Sequence, residues 1–234
     1  MQCVILCAGK GARMRPLTDA CPKPLVVVAG KPIIQHIVEA LPVEVNEIVL
    51  IVGYLKEQII ELCGDMYLGK RVVYREQKNH AGGTGEALIC ARDVLHGKFL
   101  FMYGDDIHGS TTLAQAIRCP YAILGAHSET PERFGVLVSN EDGTLNSILE
   151  KPENPPSNLI NIGGFVIDQS IFEYSVSVSP SGELYVTDML TQFAKDHPVQ
   201  ILEQSLWIPI GYPEDVAKAE AILATRTQSQ VEVR

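Results

Sequence analysis

Short apolar runs alternate with segments of helical periodicity through the first hundred residues, and this alternation restricts the possible folds more than any other feature. The runs are CVIL (3–6), EIVLIV (47–52), RVVYRE (71–76) and KFLFMY (98–103). Between them apolar side chains recur at helical spacing at about 33–41, 55–63 and 84–95. In the first of these segments Ile33, Ile34, Ile37, Val38 and Leu41 share a face, while Gln35, His36 and Glu39 fall largely elsewhere. Strand, helix and strand repeated in this way predict an α/β fold with a parallel sheet and right-handed crossovers.

After about residue 120 the texture changes. YAILGAH, FGVLVSN, TLNSILE and GGFVID read as strands joined by NEDGT and KPENPPSN, so the second half is expected to be mixed or antiparallel. A helix at about 186–196 and a last one at about 213–225 follow, and the tail TRTQSQVEVR is expected to be loose. With 234 residues, 46% hydrophobic composition, no internal repeat and no low-complexity linker, one domain with an elaborated second half is the simplest organisation.

Charge and cysteine usage narrow the function classes. A net charge of −9 and a pI near 5.1 argue against gripping nucleic acid through the general surface, which requires a basic face. No run approaches the roughly 18–20 apolar residues that cross a bilayer, and MQCVILCAG lacks a basic n-region and a small-residue cleavage site. A cytoplasmic protein without membrane contact is therefore expected. Cysteines at 3, 7, 21, 63, 90 and 119 form no C-x-x-C pair, so a zinc site is not expected and most of them are expected to be ordinary buried thiols.

Against this acidic background, LCAGKGARMRPLTDACPKPL (6–25) gathers Lys10, Arg13, Arg15 and Lys23 with only Asp19 opposing them. Gly9 and Gly11 follow a predicted strand and could let backbone N–H groups approach an anion. The third glycine of a dinucleotide fingerprint would fall on Met14, and no G-K-S/T follows, so neither that motif nor a P-loop is present. Arg13 can offer a planar fork to phosphate oxygens, and Lys23, between Pro22 and Pro24, a compact charge. Taken singly, the glycines fit a tight turn and the cations a solvated loop; together they fit a phosphate site. Asp105 and Asp106, after KFLFMY, fit either an Asx turn or a metal-binding strand end, with Asp105 the first candidate and Asp106 an outside one. His108 is expected at the surface.

Leu6, Ala8, Gly9, Gly11, Arg13, Pro16, Leu17, Thr18, Pro22, Lys23 and Pro24 together resemble the signature G-x-G-x-R-x-x-P-L-T-x-x-x-P-K-P of the sugar-1-phosphate nucleotidylyltransferases. REQ…GGTGEA is similar to that family's Q-x(4)-G-T-x-x-A segment, YGDD to its metal-binding strand end, and FGVLVSNEDGTLNSILEKP to its Y/F-G-V stretch followed by E-K-P. NLINIGGFV resembles N-x-G-x-Y/F, and SGELYVTDML resembles G-E-x-x-x-T-D. The resemblance implies a three-layer Rossmann-like nucleotide-diphospho-sugar transferase fold with a mixed, mainly parallel central sheet. It also implies a single catalytic domain over 1–234, with a nucleotide-binding half at about 1–110 and a sugar-phosphate-binding half at about 111–225.

The implied reaction transfers a nucleotidyl group from an NTP, with UTP or dTTP favoured, to a hexose or N-acetylhexosamine 1-phosphate by in-line attack with Mg²⁺. In that reading Leu6, Ala8, Gly9, Gly11, Gln77, Gly83 and Thr84 bind the nucleotide, and Arg13 and Lys23 act on its phosphates. Asp105 holds the metal, and Gly135, Glu150, Lys151 and Asn161 bind the sugar phosphate. A homo-oligomer is compatible with the resemblance, and a left-handed β-helix such as longer members carry is not expected.

One position departs from the pattern: where the family has the aspartate of W-x-D-x-G, WIPIG places Pro209. Asp215, in the first turn of the last predicted helix, reads as structural. Two alternatives stay open, a non-catalytic relative that binds nucleotide sugars and regulates a partner, and an enzyme acting on a small alcohol phosphate such as phosphocholine. Glu150, Lys151 and Asn161 at sugar-type positions stand against the second.

Overall fold

A computed structural model describes residues 1–174, 178–179 and 182–231. The first half comprises β1 (Gln2–Cys7), the ribbon of β2 (Val27–Val28) and β3 (Lys31–Pro32), α1 (Ile33–Ala40), β4 (Glu47–Val52) and α2 (Lys56–Cys63), followed by β5 (Met66–Tyr67), β6 (Lys70–Glu76), α3 (Gly83–Ile89) and β7 (Lys98–Tyr103). The second comprises β8 (Asp106–His108), α4 (Ser110–Ala116), β9 (Ala122–His127), β10 (Gly135–Ser139), β11 (Leu145–Glu150), β12 (Leu159–Asp168), α5 (Val186–Asp196), β13 (Gln200–Glu203), β14 (Trp207–Pro209) and α6 (Pro213–Val231).

Ten strands form one mixed sheet, running β11-β10-β12-β7-β1-β4-β6-β5 with β9 and β13 paired beside β12. β1 is parallel to both β4 and β7, and β4 is parallel to β6. β12 enters antiparallel to β7 and joins the second half to the first. Strand alternation divides the core between the two faces. Cys3, Ile5 and Cys7 of β1 pack in the layer that takes α1, α2, α4 and Ala219 of α6. Val4 and Ala8 pack in the opposite layer with Leu88 of α3 and Leu190 and Phe193 of α5. The result is an α/β fold of three layers, and the strand order reverses beside β1: the chain adds β4 and β6 on one side of it, then crosses back through α3 to β7 on the other. The carboxyl edge at such a switch point is where open α/β sheets leave a crevice.

Most boundaries match the periodicity of the sequence, and the differences have local causes. α3 stops at Ile89 instead of continuing to 95, because the next residues tighten into i→i−3 turns, such as Ala91 N–H to Leu88 C=O at 3.0 Å, that still bury Ala91 and Leu95. β12 begins at Leu159, earlier than GGFVID, and pairs there with β9. α6 runs through Val231, so the tail expected to be loose is helical to that point; residues 232–234 lie outside the described residues. The ribbon of β8 and β14 was not apparent in the sequence. It buries His108 to 2% exposure, correcting its expected surface position. Among the described residues no helix is long and apolar enough to cross a membrane.

Candidate active site

A cleft of about 520 Å³ opens at the carboxyl edge of β1 and β7. The turn after β1 forms one wall. Gly11 has φ +60°, and a Cβ there would lie 3.0 Å from Thr18 Cγ2 and 3.1 Å from Lys23 Cβ. The Thr18 hydroxyl donates to the Gly11 carbonyl at 2.8 Å. The P-L-T and P-K-P segments thus fold back on the glycine, which has to lack a side chain to admit them.

This packing buries Lys23 to 8% exposure, and its Nζ donates to Asp105 Oδ2 at 2.9 Å. Gly104 makes the pairing possible. Its N–H bonds to the Leu6 carbonyl at 3.0 Å, and a Cβ at that position would overlap the same oxygen. The end of β7 is thereby drawn against β1 beside the lysine.

Leu6, Ala8, Gly9, Gly11, Arg13 and Lys23 all line the cleft, as do Gln77, Gly83, Thr84, Asp105, Glu150 and Lys151. Gly135 and Asn161 lie just behind it: a Cβ on Gly135 would stand 3.2 Å from Glu150 Oε2 and 3.8 Å from Asn161 Cβ. The residues that the resemblance assigns to nucleotide, metal and sugar phosphate therefore converge on one cleft or its immediate support, whereas Lys10, Arg15, Asp106 and His108 do not line it.

Several have structural work as well. Gln77 Nε2 donates to the Gly83 carbonyl at 3.0 Å, and the Thr84 hydroxyl accepts the Val186 N–H at 3.1 Å, capping the start of α5. Gly83, at φ +83°, lies against Leu184, whose N–H bonds to the Gly82 carbonyl at 2.9 Å and whose carbonyl accepts from Gly85 N–H at 2.8 Å. The GGTG and GELYVTD segments are thus two sides of one contact between the halves. Ser181, at the start of the quoted SGELYVTDML, lies outside the described residues.

Tyr103, Glu183, Tyr185 and Thr187 also line the cleft, and only the G-E-x-x-x-T-D resemblance pointed toward the last three. Burial pushes the Tyr103 phenol well up, opposed in part by Asn161 and Thr84 beside it. Gly163, at φ +76°, packs so closely on the Tyr103 ring that a Cβ would overlap it, and its N–H bonds to Asn161 Oδ1 at 2.9 Å. These contacts account for the N-x-G spacing. The tyrosine itself, at the end of an apolar strand, gave no sequence signal of its place between the halves.

At the wall formed by the second half Lys151 has φ +44°, an uncommon conformation for a lysine, and its N–H is held by the Phe134 carbonyl at 3.0 Å. Its Nζ lies 3.6 Å from Glu150 Oε1. Burial raises the Glu150 carboxyl above its ordinary value, and Lys151 opposes the shift.

Asp106 points elsewhere. Its oxygens accept from Trp207 Nε1 at 2.8 Å and from the Ile210 N–H at 3.3 Å, and its backbone pairs with Pro209 across the β8–β14 ribbon. Burial, reinforced by the charge of Asp105, pushes its carboxyl up to about 7. Among the described residues no group of three or more His, Cys, Asp or Glu could hold a metal. A hard divalent cation would instead meet Asp105, which lines the cleft and whose Oδ1 takes no hydrogen bond among the described residues. Magnesium is commonly held in this way, by one or two carboxylates with substrate phosphates and water completing its shell.

A family model described as nucleotidyl transferase matches residues 2–226. The chain is 36% identical over 234 residues to the bifunctional protein GlmU of Methanocaldococcus jannaschii, covering 99% of this chain and 56% of that one. It thus spans little more than half the length of the bifunctional relatives it matches. It is also 35% identical to the UTP–glucose-1-phosphate uridylyltransferase AglF of Haloferax volcanii, over 99% of this chain and 100% of that one. A crystal structure of a Bacillus anthracis protein, assigned as a glucose-1-phosphate thymidylyltransferase and solved with sucrose, superposes with a TM-score of 0.85 at 27% identity, covering 95% of this chain and 94% of that one.

Proposed function

Because the chain belongs to the nucleotidyl transferase family, we propose that it transfers a nucleotidyl group from UTP or dTTP to a hexose or N-acetylhexosamine 1-phosphate. A phosphate oxygen of the sugar phosphate forms a bond to the α-phosphorus as the bond to the bridging oxygen breaks, giving NDP-sugar and pyrophosphate. The observation that carries this reading is one cleft lined from both halves of the chain: Arg13, Lys23 and Asp105 from the first, Glu150 and Lys151 from the second.

Chemistry of this kind requires positioned charge more than a covalent nucleophile. The backbone at Gly9 and Gly11 admits the polyphosphate close to the chain. Arg13 meets the departing pyrophosphate, and Lys23, fixed by Asp105, meets the reacting phosphates. Lys151 binds the incoming sugar phosphate, and Gly135 and Asn161 shape the sugar side through their packing. Asp105 would hold Mg²⁺ through Oδ1, the oxygen that Lys23 leaves unengaged, and the cation would neutralise phosphate charge. The two halves act as a single catalytic domain in this reading.

Pro209, without a side-chain oxygen where the family pattern places an aspartate, is the one observation favouring a non-catalytic nucleotide-sugar binder. Calorimetry with UDP-glucose, with and without Mg²⁺, combined with a turnover assay separates the two. Metal-dependent turnover supports the enzyme; binding unaffected by metal with no turnover supports the binder.

A further inference from the structure

Arg13 and Arg133 come from different halves of the chain, at the turn after β1 and at the turn before β10, yet both guanidiniums lie against Tyr212. They stand 5.6 and 5.7 Å from its ring centroid, and Arg133 Nη2 also donates to the tyrosine hydroxyl at 3.1 Å. Among the described residues neither arginine forms an ion pair with a carboxylate. Two like charges brought to one ring repel each other, and only the ring's negative face and the hydroxyl oxygen offset that repulsion.

The ring is itself anchored. Asp215 Oδ2 accepts from the Gly211 and Tyr212 N–H groups at 3.0 and 2.9 Å, and Lys218 holds Oδ1 at 3.0 Å. The two guanidiniums, Arg13 first, draw the phenol below its ordinary pKa. Arg13 and Gly211 both line the cleft, so the cluster stands at its mouth.

We propose that Tyr212 is a positioning residue for nucleotidyl transfer: its ring holds Arg13 over the polyphosphate end of the cleft, with Arg133 braced beside it. The inference rests on the function proposed above, and an anionic triphosphate is the ligand that two unneutralised guanidiniums at one mouth would recognise. The ring is the face that both guanidiniums share, and the hydroxyl, which Arg13 and Arg133 both reach, adds to its hold.

Tyr212→Phe and Tyr212→Leu test this, because leucine retains apolar bulk at a half-buried position without the ring's charge distribution. The leucine variant is expected to lose about tenfold in kcat/KM for the NTP, with the KM for sugar 1-phosphate changed by less than about twofold, and the phenylalanine variant to stay within about threefold of wild type. A second readout needs no turnover: modification of Arg13 by phenylglyoxal, followed by peptide mass spectrometry, should be several-fold faster in the leucine variant alone.

Equal modification rates in all three proteins, or equal loss of kcat/KM in both variants, would overturn the positioning role. A wild-type protein that released no pyrophosphate would overturn the functional reading instead, while the modification rates would still report on whether Tyr212 holds Arg13.

Discussion

Lys23 is a charge that burial would penalise heavily if it stood alone, and the Asp105 carboxylate at 2.9 Å offsets that cost. The pair also fixes the ammonium against the cleft, so Lys23→Ala should lower kcat by about 10²–10³-fold while far-ultraviolet circular dichroism stays unchanged. Near-native turnover would remove Lys23 from the mechanism. His108 gives a prediction about stability. Burial pushes its imidazole down to about 4, whereas the unfolded chain binds the same proton near 6.5. Protonation therefore favours the unfolded state, and this contribution to stability is lost as pH falls from about 6.5 to about 4. Asp106, its carboxyl raised by burial and by the charge of Asp105, acts with the opposite sign and opposes the effect in wild type. His108→Gln removes only the first contribution, so its urea midpoint should gain on wild type as pH drops through that interval, by up to roughly 3 kcal/mol in stability. A difference that stays constant with pH would show that the histidine does not titrate with folding. The sequence motifs named Lys23 and Asp105, but not their pairing, because 82 positions separate them and only the close approach at Gly104 brings them together.

At the scale of elements, the start of α6 shows how a bland acidic residue becomes a support for the site. Asp215 spans the N–H groups of Gly211 and Tyr212, whereas Glu214 beside it is exposed. Asp215→Ala should cost about 0.5–2 kcal/mol in thermal or urea unfolding, the range for a lost helix cap, and Glu214→Ala should stay within about 0.5 kcal/mol. Equal effects at the two positions would contradict the cap. The structural role of Asp215 was legible from its place after Pro213, as were β4, β7 and α5 from their runs of apolar residues at strand or helix period. The ribbon of β8 and β14 was not. Each strand has only three residues, and His108 and Pro209 obscure any alternation, yet this ribbon turns Asp106 away from Asp105 and toward Trp207. α3 read too long because Ala91 and Leu95 keep a helical spacing through turns that are no longer α-helical.

Across the whole molecule, a sheet whose strand order reverses between β1 and β7 leaves a cleft at its carboxyl edge, and β12 returning antiparallel to β7 brings the second half over it. The alternation of strands and helices was enough to predict the parallel part of this plan. The joining of the halves was not predictable from periodicity, since it depends on close packing at Gly83 against Leu184 and at Gly163 against Tyr103. Under the proposed function an acidic chain would meet a triphosphate locally, through the few cations, Arg13, Lys23 and Lys151, that line its cleft. The most direct test is pyrophosphate release from UTP, dTTP, CTP, GTP and ATP against a panel of sugar 1-phosphates, with Mg²⁺ and with EDTA. The expected result is release with UTP or dTTP and a hexose or N-acetylhexosamine 1-phosphate, abolished by EDTA; silence across the panel, with UDP-glucose still bound, would contradict it and identify Pro209 as the mark of a protein that binds without turnover.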